Sequence, residues 1–284
     1  MSSYLSSQKT NVLITGANGL IGNLVYAHLA TMSERYTPFG NARRRQTSDR
    51  VSDASYTPIP DHRLRIADLT DFAGLQRAIE GMDMVVHMAA DASGHGGYDS
   101  VLHNNIIGTR NVFEASRLAG VRRVIFASTN QVVFGYRDTE PYKSLFELRF
   151  DDVDPQAIKP ITHDQPARPV NDYAASKVYG EALTHQYAQA HGLSCVALRI
   201  GWVTHDDVPL HPAARFTWCS KRDIVQLVMR CIEAPASLRF DAFFGQSNNP
   251  YNLVDIEHPR RVLGYAPEDS VEDHWRDFKN AKPW

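Results

Sequence analysis

Two side chains with complementary protonation chemistry stand four residues apart in Tyr173-Ala174-Ala175-Ser176-Lys177. On a helix this interval puts both on one face, about one turn apart. A phenol near its ordinary pKa of ~10 is a poor base at neutral pH, but a fixed ammonium beside it favours the phenolate. The pair therefore suits proton transfer to and from a hydroxyl. The same spacing also occurs in plain surface helices. What sets this instance apart is the upstream Phe126-Ala127-Ser128-Thr129-Asn130, whose hydroxyls fall at the carboxyl end of an apolar strand.

A second chemical feature is Thr15-Gly16-Ala17-Asn18-Gly19-Leu20-Ile21-Gly22, where an apolar run hands over to a helical pattern. In that context Gly16 turns the chain, Gly19 admits a pyrophosphate against the backbone, and Gly22 lets the helix pack closely on the sheet. The helix start adds free N–H groups and the positive end of its dipole. Without this context a glycine triplet is only a tight turn; with it, a dinucleotide is expected. The residue ending the second strand should select between cofactors, since an acidic side chain there binds the ribose hydroxyls and repels a 2′-phosphate. That position holds Asn41, with Arg43, Arg44 and Arg45 beyond it. Asn removes the repulsion and an arginine can clamp a phosphate, which leans the expectation toward NADP, with NAD next. A solvated arginine face is the competing explanation.

The elements that must position these groups alternate between short apolar runs and longer helical patterns, which predicts an α/β, doubly wound parallel sheet of the Rossmann kind. Strands are expected at Val12–Ile14, Tyr36–Gly40, Leu64–Ile66, Met84–Met88, Val124–Ala127 and Cys195–Ile200. Helices are expected from Gly19, after a cap at Thr70 or Asp71, over Val101–Leu118, over Tyr173–Ala190 and over Ile224–Ile232. Between Gly135 and Asn171 the periodicity fails and five prolines intervene, so residues 136–170 are expected to form a long substrate loop. The chain divides into a dinucleotide-binding domain over 1–201 and a small substrate-binding lobe with one returning helix over 202–284.

Composition narrows the function classes. The formal charge of −2 and pI near 6.6 argue against nucleic acid or an anionic membrane as the main partner. No run reaches the ~18 apolar residues of a membrane span. Met1–Asn11 lacks the apolar stretch of a secretory signal and reads as a short flexible tail on a cytoplasmic protein. Cys195, Cys219 and Cys231 form an odd set without a close pair, so buried free thiols are expected. The histidines, among them His87, His95, His163, His205 and His211, show no HxxxH or HExxH spacing, so no metal is expected. Asp151-Asp152 and Asp206-Asp207 read as solvated loop pairs.

Taken together these motifs resemble the extended short-chain dehydrogenase/reductases of the NAD-dependent epimerase/dehydratase type over nearly the whole chain. The resemblance also rests on Asp68-Leu69, Ala89-Ala90 and Asn105-Ile106-Ile107-Gly108-Thr109, and it implies cofactor contacts at Asp68, Leu69, Ala89, Ala90, Asn105 and Ile200. It implies that Thr129 holds the reacting oxygen, with Ser128 near the nicotinamide and Lys177 on its ribose. Ala127–Gln131, Ala167-Arg168-Pro169, Leu198–Gly201, Thr217–Ser220 with Asp223, and Gly245–Asn249 look closer still to the uronate and sugar-C1 dehydrogenase branch. The implied substrate is an aldose, a uronic acid or a sugar phosphate oxidised at C1, read by Ser93, Asn130, Gln131, Trp202 and Arg215. Gln131 and Trp202 depart from that branch, where a histidine and a serine are usual, and the 137–165 stretch is longer. A homodimer through the two long helices is implied as well. The alternatives are a nucleotide-sugar epimerase or dehydratase, for which the C-terminal part looks short, and a catalytically idle cofactor-sensing regulator, which retention of both Tyr173 and Lys177 disfavours.

Overall fold

The computed structural model describes residues 9–49, 51, 56–92 and 97–275. Strand β1 (Thr10–Thr15) is followed by helix α1 (Leu20–Thr31) and β2 (Tyr36–Ala42), then β3 (Leu64–Ile66), α2 (Phe72–Ile79) and β4 (Met84–His87). Next come α3 (Gly97–Val101), α4 (Gly108–Leu118), β5 (Arg123–Thr129), α5 (Tyr142–Phe146), α6 (Asp172–His191) and β6 (Ser194–Ile200). The chain continues through α7 (Ala214–Thr217), α8 (Lys221–Glu233), β7 (Phe240–Gly245) and α9 (Glu257–Leu263). The strands form one sheet in the order β3-β2-β1-β4-β5-β6-β7, every pairing parallel.

Parallel strands need crossovers, and the crossovers cover both faces of the sheet. The apolar runs are continuous for that reason: Val12 and Ile14 point into the core on one face, while Leu13 points into the core on the other. Connections leave β1 toward β2 on one side and reach β4 on the other. This reversal of strand order opens a crevice at the carboxyl ends of β1 and β4, where such folds bind ligands.

Several expectations need correcting. The helix expected over Val101–Leu118 is continuous but not regular: it runs from α3 through a π-helical segment at Leu102–Ile107 into α4 with helical backbone angles at both joins, and Asn105 on the π turn lies in the interior, 1% exposed. The 136–170 stretch is not an open loop. It contains short 3-10 turns and α5, and its Tyr136, Leu145, Phe146, Val153, Ile158 and Ile161 share a core with Phe216, Phe244, Leu253 and Val254. The C-terminal part contributes more to the sheet than one helix: α8 packs on the core and β7 adds a seventh strand beside β6. Of the two caps considered for α2, Asp71 is used, accepting a bond from the Gly74 amide at 3.0 Å. Residues 1–8 of the expected N-terminal tail, and His95, lie outside the described residues. Among the described residues no helix is long and apolar enough to cross a membrane, and all three cysteines are free and buried.

Helix α6 starts on an Asn171 cap, whose side chain accepts from the Ala174 amide, and ends at Gly192 in the left-handed region. It lies against β5 through Gly180, where a β-carbon would stand 2.1 Å from Phe126 Cζ. Gly180→Ala should therefore force helix and strand apart and cost about 1–3 kcal/mol by urea titration. An unchanged unfolding midpoint would mean that this contact does not set the spacing.

Candidate active site

The glycine turn closes tightly over the start of α1. Gly16 has φ +67°, and a β-carbon there would come 2.9 Å from Ala89 Cα. At Gly22 a β-carbon would meet the Gly16 carbonyl oxygen at 2.2 Å. The N-cap of α1, Gly19, supplies no side-chain bond, so the first amides of the helix keep their donors for a ligand. Leu20 and Ile21 are half-buried on this first turn, and Ala89 and Ala90 stand half-buried opposite Gly16. Asn18 faces inward, donating to the carbonyls of Arg44, Arg45 and Gln46 and accepting from the Tyr56 hydroxyl. It staples the turn to the segment after β2 instead of projecting into the crevice.

At the end of β2, Asn41 is 1% exposed and its amide nitrogen donates to the carbonyls of Arg65 and Ala67, at 3.1 and 3.2 Å. Its donor is thus spent on holding β3. Arg43 and Arg44 are exposed just beyond, while Arg45 pairs with Asp61. Burial pushes the Asp68 carboxyl up, but bonds from the Thr70 amide and hydroxyl and the Arg43 charge hold it below the usual carboxylate range. Leu69 is buried and its carbonyl accepts from Asn111.

Beneath the crevice, Thr15 Oγ1 contacts His87 Nδ1 at 2.8 Å, His87 Nε2 contacts Thr109 Oγ1 at 3.2 Å, and the Ala89 amide donates to Thr15 Oγ1. Burial, with the Lys177 charge nearby, pushes the His87 pKa down to about 3. The ring is therefore neutral, and the interior can carry at most one cationic group here instead of two.

That group is Lys177, 3% exposed, whose Nζ donates to the Ala127 carbonyl at 2.7 Å and lies 4.9 Å from the Phe126 ring centre. Desolvation pushes its pKa down to about 7. Tyr173, one turn earlier, is half-buried with its ring centre 5.7 Å from Nζ. Its carbonyl accepts from Ser176 Oγ, which in turn accepts from Asn105; Asn105 also bonds both the amide and the carbonyl of Asp91. Asn105 therefore ties the loop after β4 to α6 instead of facing a ligand.

At the end of β5, Ser128 Oγ donates to Glu181 at 2.6 Å, and Glu181 receives a bidentate pair from Arg199, both at 2.9 Å. Thr129 caps the following 3-10 turn, accepting from the Gln131 amide at 3.3 Å, and Ile200 pairs with it across β6. Asn130 is 3% exposed and its Nδ2 has no partner among the described residues. Gln131 Oε1 accepts from Asn171, the cap of α6, so the β5 loop and the tyrosine-bearing helix are bonded to each other. Ala92, Tyr98, Val101, Gln131, Asn171, Asp172 and Tyr173 line a cleft of about 300 Å³.

The sequence alone gives no role to Glu181, nor to Arg199 beyond its place in the Leu198–Gly201 stretch. The signals were present: Glu181 repeats the four-residue interval after Lys177, and Arg199 is a lone charge inside the apolar run Cys195–Ile200. Of two further residues expected at the substrate, Trp202 is half-buried, its amide donating to the Thr217 carbonyl and its carbonyl accepting from Cys219, which fixes the backbone after β6. Arg215 is not open to a substrate anion: its Nε stands 2.9 Å from Glu272, and Phe150, Tyr251 and Trp275 surround the guanidinium at 5.1, 5.3 and 4.4 Å. A short helix in an aromatic-rich segment left its register open to error, and the ion pair spans 57 residues. Ser93 lies outside the described residues.

A parallel sheet reversing at β1 and β4, a glycine turn in the crevice, and a buried lysine one turn from a half-buried tyrosine define a dinucleotide-dependent oxidoreductase of the Rossmann class. The profile of the NAD dependent epimerase/dehydratase family matches residues 12–204, and the chain belongs to that family. It is 33% identical over 268 residues to the NAD-dependent glucose-6-phosphate dehydrogenase of Haloferax volcanii, covering 91% of this chain and 93% of that protein. It is 35% identical over 246 residues to an L-arabinose 1-dehydrogenase (NAD(P)(+)) of the same organism, covering 81% of this chain and 94% of that one. Among solved structures, uronate dehydrogenase from Agrobacterium tumefaciens superposes with a TM-score of 0.74 at 27% identity, over 93% of this chain and 86% of that one.

The buried ammonium carries a stability cost. Because the Lys177 pKa falls from 10.5 unfolded to about 7 folded, the folded state binds fewer protons between these values, and stability declines as pH drops through that window. Lys177→Met should thus raise the melting temperature of the cofactor-free protein at pH 7 more than at pH 10, while lowering turnover by ~100-fold or more. Equal shifts at both pH values would show that the lysine is not desolvated.

Proposed function

We propose that the protein oxidises an aldose, a uronate or an aldose phosphate at its anomeric carbon, giving the lactone and a reduced nicotinamide dinucleotide. The observation that carries the reading is the Tyr173–Lys177 pair, ammonium buried and phenol at the cleft. The sugar dehydrogenases similar to this chain over most of their length supply the substrate class.

The residues at the crevice fit the dinucleotide. β-Carbons at Gly16 and Gly22 would strike the Ala89 backbone and the Gly16 carbonyl, so only glycine lets the turn close this tightly over the start of α1, whose first amides lack a side-chain cap. Gly16, Gly19, Leu20, Ile21 and Gly22 would hold its pyrophosphate, with Ala89, Ala90 and Ile200 against the nicotinamide half and Asp68 and Leu69 against the adenine. When bound, the nicotinamide accepts the hydride from C1. Tyr173 takes the C1 hydroxyl proton as the C–H bond breaks, and Thr129 bonds the same oxygen. Lys177 favours the phenolate and holds the nicotinamide ribose, while Ser128, fixed by Glu181, closes the floor. Asn130, with its buried Nδ2 unpaired, and Gln131 then meet the sugar hydroxyls.

The cofactor site accepts NADP as well as NAD in this reading, with a lean toward NADP. It has no carboxylate at the end of β2, and Arg43 and Arg44 are exposed beside it. Asn41→Asp is a poor test because it would set a carboxylate against the Arg65 and Ala67 carbonyls. Replacing Arg43 and Arg44 by alanine should instead lower kcat/KM for NADP about tenfold relative to NAD. An unchanged ratio would remove these arginines from 2′ recognition. A homodimer through the long helices over Val101–Leu118 and Tyr173–Ala190 belongs to the same proposal, Ile107 and Leu118 being exposed on the first of them. Three buried free thiols suit a reducing, cytoplasmic setting.

Mixed with a panel of free sugars, uronates and sugar phosphates, the protein should reduce NAD or NADP. Tyr173→Phe should lower that turnover by ~10²–10⁴-fold with cofactor affinity nearly unchanged. Near wild-type activity in the variant would refute the assigned proton path. Tight nucleotide-sugar binding with no cofactor reduction by any simple sugar would favour an epimerase instead.

A further inference from the structure

Away from the cleft, His163 at the end of the proline-rich insertion, Asp241 on edge strand β7 and His258 on α9 converge. One ligand atom from each lies within 4.8 Å of the others. Sequence spacing gave no hint of this, because the three come from separate segments. His258 is 6% exposed, and its Nε2 stands 3.0 and 3.1 Å from the two Asp241 oxygens. The His163 ring stacks on it with centres 3.7 Å apart and planes 4° from parallel, and its Nδ1 is buried without a hydrogen-bond partner among the described residues. An imidazole nitrogen withheld from water and bonded to nothing carries an uncompensated desolvation cost, and such a group calls for a bridging water or an ion.

The donor set decides between these. Two imidazoles and one carboxylate are the ligands of a zinc-class divalent cation, with water completing a fourth position. We propose that His163, Asp241 and His258 bind one such cation, which pins the end of the insertion to the edge of the sheet. The backbone is already there: Ile161 bridges Val254, and the His163 carbonyl accepts from Arg199 at 3.1 Å. Metal entry replaces the hydrogen between His258 and Asp241 and tilts the stacked rings so that their lone pairs converge. His258 then carries its proton on Nδ1, and the exposed Arg261, whose Nη2 stands 3.3 Å from that nitrogen, moves into solvent. The site also reaches the catalytic end of the sheet, because the Arg199 that holds His163 also fixes Glu181 and, through it, Ser128.

The test uses the full chain, stripped with a chelator and titrated with zinc by calorimetry and with cobalt(II) by visible absorbance. One equivalent should bind, cobalt should give the intense bands of a tetrahedral site, and zinc at a hundredfold excess over Kd should raise Tm by about 5 °C or more. His163→Ala should melt like the metal-free wild type and lose the binding. Arg261→Ala should bind more tightly, since it removes a donor opposed to the metal-bound tautomer. Absence of saturable binding by the wild type would overturn the proposal and leave a water at His163. Equal binding by His163→Ala and Asp241→Asn would overturn it too, by locating the ion at other histidines.

Discussion

With no side chain at Gly180, α6 can lie against Phe126 at a distance a single β-carbon would forbid. The arrangement at the carboxyl end of β5 follows from that approach. Lys177 sits less than one turn before Gly180 and reaches the Ala127 carbonyl; Glu181 is the next residue and takes the Ser128 hydroxyl. If the helix stood farther away, both bonds would lengthen together. The Glu181–Arg199 pair is largely buried, and a buried ion pair is a weak source of stability. Its effect is orientation: the carboxylate has both oxygens committed, so Ser128 has one place to donate.

The same packing governs charge. Lys177 and His87 share the interior between β4, β5 and α6, and each is desolvated. Two cations there would repel in a poorly solvated space, so His87 stays neutral between Thr15 and Thr109 and the lysine is the group that can carry the charge. With its pKa near 7, the amine stands where small changes around it alter its protonation. The carbonyl of Ala127 helps retain the charged form, and the neutral imidazole adds none.

Legibility in the sequence followed the range of the interactions involved. Strands β1, β4, β5 and β6 were readable because buried parallel strands are continuous apolar runs, and the glycine turn and the Tyr173–Lys177 interval were readable because their chemistry is local. Strand β7 was missed: Phe240-Asp241-Ala242-Phe243-Phe244-Gly245 is an edge strand with an aspartate near its start, and it resembles the polar, aromatic-rich segment around it. The π turn in the Val101–Leu118 helix was invisible because its bonds run from Asn105 to Asp91 and Ser176, 14 and 71 residues away. For the same reason the insertion read as loop. Its apolar residues have no period of their own and are buried only because Phe216, Phe244 and Leu253 come to them from other parts of the chain.

The fate of Arg215 bears on how a sugar would be recognised. A free guanidinium near the cleft would select acids and phosphates by charge. Here the guanidinium is paired with Glu272 and covered by aromatic rings, so a substrate anion would have to displace a carboxylate already in place before gaining anything. The amide side chains that follow β5 are neutral: Asn130 has a buried Nδ2 without a partner among the described residues, and Gln131, which lines the cleft together with Asp172, is held by Asn171. Neutral donors read hydroxyl positions, because a missing or inverted hydroxyl leaves a buried amide unpaired, whereas they discriminate weakly between a hydroxymethyl and a carboxylate. Under the proposed sugar oxidation, Asn130 and Gln131 would therefore read the stereochemistry of the ring more strongly than charge at the far end of the substrate.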